Sequence, residues 1–353
     1  MLYAQVVLPL AQPMYTFSLD EGLAVGVGDA VVVQFGSSRF YTGIVWSITS
    51  ERPDYPRLKP IIKRLYSTPL LTPEAQRLWE WIAEYYMCTV GEVMRVALPS
   101  LIKAKARCEA EFSPYMPKQE ATVVLNAEAF SEEVRAKMAR RAPKRYEALC
   151  LLEQAGGELP RHAVALDATA LKSLAKSGLI EMGERDFVLD CSWSRTLLPA
   201  LSSAQVKALD DIRNGLTTKR VALLHGVTSS GKTEIYTHLI EETLSRGEDV
   251  LFLVPEISLT AQLVERMRAL FGESVTVYHS KLTPQQRTRL YTDMLCSESG
   301  NFVIGARSAL FLPYKKLGLI VVDEEHDSSY KQTMPNPRYN AKDVAKKLCE
   351  LYD

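Results

Sequence analysis

Gly226-Val227-Thr228-Ser229-Ser230-Gly231-Lys232-Thr233 is the stretch from which the chain is read. Gly226 and Gly231 let consecutive backbone N–H groups turn inward around phosphate, Lys232 adds a charge for the β- and γ-phosphates, and the Thr233 hydroxyl reaches a magnesium ion. Further along, Leu317-Gly318-Leu319-Ile320-Val321-Val322 reads as a buried parallel strand running into Asp323-Glu324-Glu325-His326. Such a strand would deliver Asp323 to the metal held by Thr233 and Glu324 to the attacking water, making Lys232, Asp323 and Glu324 the catalytic set. Either half alone also reads as an ordinary loop or core strand. In this order and spacing, the two predict a nucleoside triphosphate site.

Around that pair, residues 198–353 alternate apolar strands with amphipathic helices. The predicted strands are 221–224, 250–254, 275–278, 302–304 and 319–322, which together imply a parallel sheet with its ligand site at the C-terminal strand edge. Pro255-Glu256-Ile257-Ser258-Leu259-Thr260-Ala261-Gln262 and Gly305-Ala306-Arg307-Ser308 fall at the same edge. They read either as plain loops or as hydroxyls, amides and an arginine for a nucleic-acid backbone.

Upstream, residues 1 to about 70 hold short β-branched runs, at 5–8, 30–35 and 41–46, separated by turn residues as in a small barrel. A helix follows, capped by Thr72 with Pro73 in its first turn, and is expected to stop near Thr89-Val90-Gly91. Residues 106 to about 197 give a helix at 143–153, closed by Gly156-Gly157, then a helix from Ala168 to Gly178 turning into a strand. That layout predicts a winged helix, a module used for DNA contact and equally for protein contact or spacing.

The chain has 353 residues, enough for two or three domains, and with 47% apolar and 24% charged residues it is ordinary for a folded protein. No stretch approaches a membrane span, and the N-terminus lacks the pattern of a signal peptide. The six cysteines are scattered without a CxxC pair, so they predict buried, reduced thiols and no zinc site within the chain. Net charge is zero, yet basic clusters occur at 52–64, 95–107 and 135–145, each a solvated face or a polyanion contact.

Taken together, several segments resemble the PriA family, superfamily 2 helicases that restart stalled bacterial replication forks. The segments are Leu224-His225-Gly226-Val227-Thr228, Gly231-Lys232-Thr233-Glu234-Ile235-Tyr236, Val254-Pro255-Glu256-Ile257, His279-Ser280, Gly305-Ala306-Arg307-Ser308-Ala309-Leu310-Phe311 and Asp323-Glu324-Glu325-His326. Upstream, Val33-Gln34-Phe35-Gly36, Gly43-Ile44-Val45, Tyr85-Tyr86 and Ala97-Leu98-Pro99 resemble the family's N-terminal DNA-binding domain.

The resemblance implies a multidomain α+β and α/β protein: a β-barrel-like domain at 1–105 that binds DNA 3′ ends, a winged helix at 106–197 and a first RecA-like P-loop lobe at 198–353. It implies ATP and Mg²⁺ as cofactors, with Gln205 reading adenine. Gly226, Thr228, Ser229, Ser230, Gly231, Lys232 and Thr233 would form the nucleotide cradle, and Thr233 and Asp323 the metal contacts. DNA contacts fall on Tyr15, Thr16, Phe17, Gly36 and Lys59 in the 3′-end pocket, and on Arg307, Tyr330, Lys331 and Tyr339 in the motor.

This chain departs from the family pattern at three of these places. Thr16 replaces the expected carboxylate, Ser229 stands where glycine is common, and Pro335-Asn336-Pro337 occupies the place of a tryptophan. The aromatics Tyr15 and Phe17 read as base-stacking or as barrel packing. The implied partners are forked and single-stranded DNA, primosome proteins and a single-stranded DNA-binding protein, for a monomer in the bacterial cytoplasm at the nucleoid. A second lobe with an arginine finger and a zinc region is not in this sequence. The chain therefore reads as an N-terminal part with feeble ATPase of its own, or as a non-catalytic fork-binding scaffold.

Overall fold

A computed structural model describes residues 2–352 apart from 21, 55–56, 107, 109–110, 116–119, 162–163, 186–197, 228–229, 257, 273–274 and 299. The chain divides into two compact units, residues 1–115 with 189–353, and residues 116–188.

The first unit opens with a curled antiparallel sheet of β1 (Leu2–Val7), β2 (Tyr15–Leu19), β3 (Ala30–Phe35), β4 (Arg39–Thr49) and β5 (Ile61–Arg64), in the order β2-β1-β4-β3-β5. The short β6 (Lys105–Ala106) adds to β4. Alternation along β4 sends Tyr41 and Val45 to the cluster inside the curl and Ile44 and Trp46 to the opposite face. That opposite face is covered by α1 (Pro73–Tyr85) and α2 (Val90–Ala97).

Thr72 caps α1 as expected, its hydroxyl accepting from the Ala75 amide at 3.2 Å. Thr89-Val90-Gly91, expected to end this helix, instead starts α2, because Thr89 and Glu92 form a reciprocal capping box. Gly91 allows α2 to touch the end of β1: a Cβ there would lie 2.1 Å from the Leu10 carbonyl oxygen and 2.4 Å from that of Leu8.

The second unit holds β7 (Glu120–Leu125), α3 (Glu132–Arg141), α4 (Pro143–Gln154), β8 (Glu158–Pro160), α5 (Ala168–Lys176) and β9 (Ile180–Arg185). Its antiparallel sheet has the order β8-β7-β9 and packs Val123 and Ile180 against Leu149 and Leu152 of α4 and Leu171 and Leu174 of α5.

The remainder of the first unit is the α/β lobe. It comprises α6 (Ser203–Leu216), α7 (Lys232–Ser245), β10 (Asp249–Leu253), α8 (Ala261–Phe271), β11 (Val275–Tyr278), α9 (Pro284–Cys296), β12 (Phe302–Gly305), β13 (Leu317–Val322) and α10 (Ala341–Leu351). The strands pair in parallel in the order β11-β12-β10-β13.

The predicted strand at 221–224 does not form. Val221 and Leu223 are exposed, at 53% and 77%, beside no partner strand. A parallel strand is stable when covered on both faces. Residues 221–223 lie exposed, without the two covered faces such a strand needs, and the chain passes there as coil.

The helix-covered face of the curled sheet and the lobe share one apolar cluster, in which Leu70, Leu78 and Ile82 join Leu251, Leu253 and Tyr291. The Tyr291 hydroxyl donates to the Leu70 carbonyl at 2.9 Å inside it.

Candidate functional sites

The phosphate loop leads directly into α7. Gly231, at φ 80°, is the residue before the helix and turns the loop with a left-handed backbone that glycine adopts freely. Lys232 and Thr233 therefore open the helix, where unpaired N–H groups and the helix dipole favour an anion. On the neighbouring sheet, β13 pairs with β10, the Asp323 amide donates to the Leu253 carbonyl at 3.0 Å, and the acidic box begins there. Ser230, Gly231, Lys232, Thr233, Asp323 and Glu324 consequently face one cavity of about 420 Å³, joined by Glu234 and Arg266.

The chemistry of that cavity suits a magnesium-bound triphosphate. Burial pushes the Asp323 carboxyl up, and the adjacent Glu324 pushes it further, against the opposing pull of Lys232. A divalent cation would relieve that repulsion. Among the described residues no three or more His, Cys, Asp or Glu gather around a point, and magnesium with substrate phosphates needs only one or two protein ligands. The Lys232 ammonium donates to the loop's own Gly226 and Val227 carbonyls, at 2.8 and 3.2 Å, which a phosphate would replace. Gln205 caps its own helix through its side-chain oxygen and donates to the Gly231 carbonyl at 3.1 Å, so it lies against the loop. Thr228 and Ser229 lie outside the described residues.

Glu324 is held at φ 46°, a left-handed backbone that costs a non-glycine residue about 1 kcal/mol or more. Tyr330 braces the turn that follows. Its hydroxyl lies 2.6 Å from the Asp323 carbonyl and 3.1 Å from that of Leu253. Arg307 donates to the Ser329 and Lys331 carbonyls at 2.8 and 3.2 Å, and Tyr339 donates to the Arg307 carbonyl at 3.4 Å. Tyr330 and Tyr339, read as possible base-stacking rings, are each 1% exposed, so in this conformation neither presents a face to a base. Their apolar rings fill the core beneath the turn and their hydroxyls pair with backbone. Lys331 remains exposed, its ammonium 5.3 Å from the Tyr86 ring.

At the curled sheet the structure gathers most of the predicted 3′-end pocket. Tyr15 sets its half-buried ring edge-on to Phe35 at 4.8 Å, and Gly36 follows Phe35 with φ 67° and open space at its α-carbon. The Lys59 ammonium donates to the Gly36 carbonyl, and the Lys59 carbonyl accepts from the Ser18 amide at 3.0 Å. Phe17, two residues along β2 and so on the same face, lies deeper: it is 4% exposed within the apolar cluster against which Tyr15 also rests, so of the two aromatics Phe17 is core packing. Thr16 pairs with Gln5 across β1 and β2.

The basic clusters are partly consumed by structure. Arg64 pairs with buried Asp29, Lys103 donates to the Arg95 and Leu98 carbonyls at the end of α2, and Arg135 forms a two-pronged pair with Glu153. The five described cysteines are free thiols, but Cys108 and Cys296 are exposed and none is fully buried, contrary to expectation.

Two sequence families match the chain: a 3′ DNA-binding domain (3′BD) of PriA over residues 5–99, and the res subunit of type III restriction enzymes over 199–351. The replication restart protein PriA of Synechocystis is 32% identical, the match covering 98% of this chain and 50% of that protein. The chain belongs to the PriA family. PriA of Haemophilus influenzae is also 32% identical, over 98% of this chain and 47% of its own length. PriA of Bacillus subtilis is 43% identical over 52% of this chain and 23% of its own.

The chain thus spans about half the length of the first two of these relatives. The match at 199–351 is to a helicase-like family, whose members generally use ATP and Mg²⁺, and the match at 5–99, to a DNA-binding domain family, covers the curled sheet with α1 and α2. Among the described residues no helix is long and apolar enough to cross a membrane.

Two residues that line the cavity at the phosphate loop are given no role by the sequence reading. Glu234 stands within the quoted segment Gly231–Tyr236 but has no role there, and Arg266 carries no motif. Only the packing of α8 beside the start of α7 brings Arg266 to the cavity, where it pairs with Glu234 at 2.5 Å.

Proposed function

We propose that this chain is the DNA-recognition and first motor part of an ATP-dependent 3′→5′ replication-restart helicase. It would recognise stalled or branched forks and begin primosome assembly. The observation that carries the reading is one cavity shared by Lys232, Thr233, Asp323 and Glu324, in the same compact unit as a sheet that matches a 3′ DNA-binding domain.

In this reading, Mg²⁺ supplies charge neutralisation at the phosphates when it is bound. Lys232 and the α7 N-terminus hold the phosphates, Thr233 and Asp323 orient the metal end, and Glu324 positions water. Gln205, moored to the phosphate loop, would reach the adenine. Tyr15, Gly36 and Lys59 form the DNA 3′-end pocket, the ring offering stacking of about 1–3 kcal/mol per base and the ammonium a phosphate contact. Arg307, Tyr330 and Tyr339 serve by shaping the turn that follows the acidic box, and Lys331 is the exposed cation of that turn. The unit at 116–188 is proposed as a winged helix with α5 as its presenting helix. Forked and single-stranded DNA, primosome proteins and a single-stranded DNA-binding protein are the proposed partners, in the cytoplasm at the nucleoid.

Fluorescence anisotropy on forks with and without a free 3′ leading-strand end tests the DNA half. Tighter binding to the free end is expected, and equal affinity removes the 3′-pocket assignment. Lys232→Ala should lose nucleotide binding by tenfold or more while keeping fork affinity; loss of both sinks the modular reading.

A further inference from the structure

The cavity at the phosphate loop contains an ion pair whose place is fixed by Gly231. A Cβ on that residue would lie 2.2 Å from Gln205 Nε2 and 2.9 Å from Glu234 Oε2, so the tips of Gln205 from α6 and Glu234 from α7 close on the same side of the loop. The other Glu234 oxygen pairs with Arg266 of α8 at 2.5 Å, which brings that guanidinium to the Gln205 side of the cavity. We propose that Arg266, held by Glu234, is a base-stacking residue of the nucleotide site, its guanidinium plane covering one face of the base whose edge Gln205 reads. The proposal rests on the nucleotide reading above.

The groups gathered there suit a base better than a phosphate. Glu234 Oε2 is buried without a hydrogen-bond partner among the described residues. An ionised phosphate would be repelled by that oxygen, whereas a base amino group or a ribose hydroxyl would satisfy it. Gln205 uses its side-chain oxygen on the Ser202 amide and one Nε2 hydrogen on the Gly231 carbonyl, leaving the second hydrogen for a ring nitrogen. Apolar residues border the same region. Leu198, ahead of α6, and Leu259 and Leu263, around the start of α8, pack against the cluster that holds Tyr236 and Met267. The Pro199 carbonyl lies 3.1 Å from Nε2 of His238 on α7, so the chain entering α6 is held to the helix that carries Glu234.

The charges divide the cavity in the same way. The Lys232 ammonium has carbonyl oxygens as its hydrogen-bond partners, so its full charge is there for phosphate. Arg266 is already matched by Glu234, whose carboxyl it holds below the usual range and therefore ionised. A guanidinium paired at its edge keeps its flat face, and that face stacks on aromatic rings. The Arg266 side chain is 44% exposed, which leaves the face open to a ligand.

Binding to the whole chain with Mg²⁺ tests the assignment. Fluorescent ADP is titrated directly, and a non-hydrolysable ATP analogue and inorganic tripolyphosphate compete with it. Arg266→Ala is expected to weaken ADP and the ATP analogue by the same factor, about three- to tenfold, and to leave tripolyphosphate, which has no base, unchanged. Arg266→Lys keeps the charge and loses the plane, and should weaken both nucleotides nearly as much. Thermal midpoints matching the parent show that each variant is folded. Tripolyphosphate weakened as much as the nucleotides, full affinity in Arg266→Lys, or no loss in Arg266→Ala overturns the stacking role and leaves the nucleotide site standing. A parent chain that binds neither nucleotide overturns both.

Discussion

Asp293 shows how a single charge can be set against the fold that holds it. It lies on α9 with Arg289 one turn before it at 3.6 Å, too far for a good hydrogen bond, and its Oδ2 is buried without a hydrogen-bond partner among the described residues. Burial pushes its carboxyl up to about 6, against the pull of Arg289. A folded pKa above the unfolded one means that the native state binds the extra proton between roughly pH 4 and 6, so stability falls as pH rises through that window. Asp293→Asn removes the charge and keeps the shape. Its thermal midpoint should exceed that of the parent by a few degrees at pH 7.5 and match it near pH 4; an equal gain at both values would mean that packing, not ionisation, is responsible. Glu324 belongs to the same scale. Its left-handed backbone points to a position fixed by use rather than by stability. In any longer form with measurable turnover, Glu324→Gln should lower hydrolysis by about 10²–10⁴ while nucleotide affinity holds within a few-fold, as for a lost general base. That Lys232, Asp323 and Glu324 would meet in one cavity was legible from their motifs; that Arg266 would join them was not, since one arginine on an amphipathic helix looks like solvent-facing charge.

Among the elements, α2 depends most visibly on one residue. Gly91 lies where α2 meets the chain leaving β1, and an added Cβ would overlap two carbonyl oxygens of backbone rather than a movable side chain. Gly91→Ala should therefore lower the thermal midpoint by several degrees, since relief requires the helix to back away from the sheet and open the cluster around Val93 and Met94. An unchanged midpoint would show that the segment after β1 yields freely. The unformed strand at 221–224 is the counter-case. Its β-branched and aliphatic residues are right for a strand, but pairing is not a local property: a strand forms where an edge and a covering layer receive it. Helix α3 likewise escaped reading because it buries no side chain, leaving no apolar periodicity to detect.

At the scale of the molecule, the curled sheet's helices and the α/β lobe meet through shared core and specific hydrogen bonds. The Tyr86 hydroxyl accepts from the Asn340 amide at 3.0 Å and donates to Asp343 at 3.1 Å, and Asn336 donates to Glu92 at 3.2 Å. These bonds tie the DNA-binding domain to the loop that Tyr330 connects to Asp323. Tyr291→Phe should report on this union. It leaves the Leu70 carbonyl without its buried donor, at a cost of about 1–3 kcal/mol, and amide exchange should rise on both sides of the shared core. Faster exchange confined to α9 would show that the two halves melt separately.

The sequence by itself determined the phosphate loop, the acidic box, the parallel character of the lobe and the antiparallel sheet before it. Each rests on local physics: bare backbone for phosphate, carboxylates for metal, period-two alternation for strands. The tertiary structure alone decided that Tyr330 and Tyr339 turn inward, that residues 221–224 stay unpaired, that Arg266 reaches the cavity lined by Lys232 and Asp323, and that two sequence-distant regions share one core. Those outcomes depend on which surfaces meet, and residues far apart in the chain compete for the same buried volume in a way that no window of sequence records.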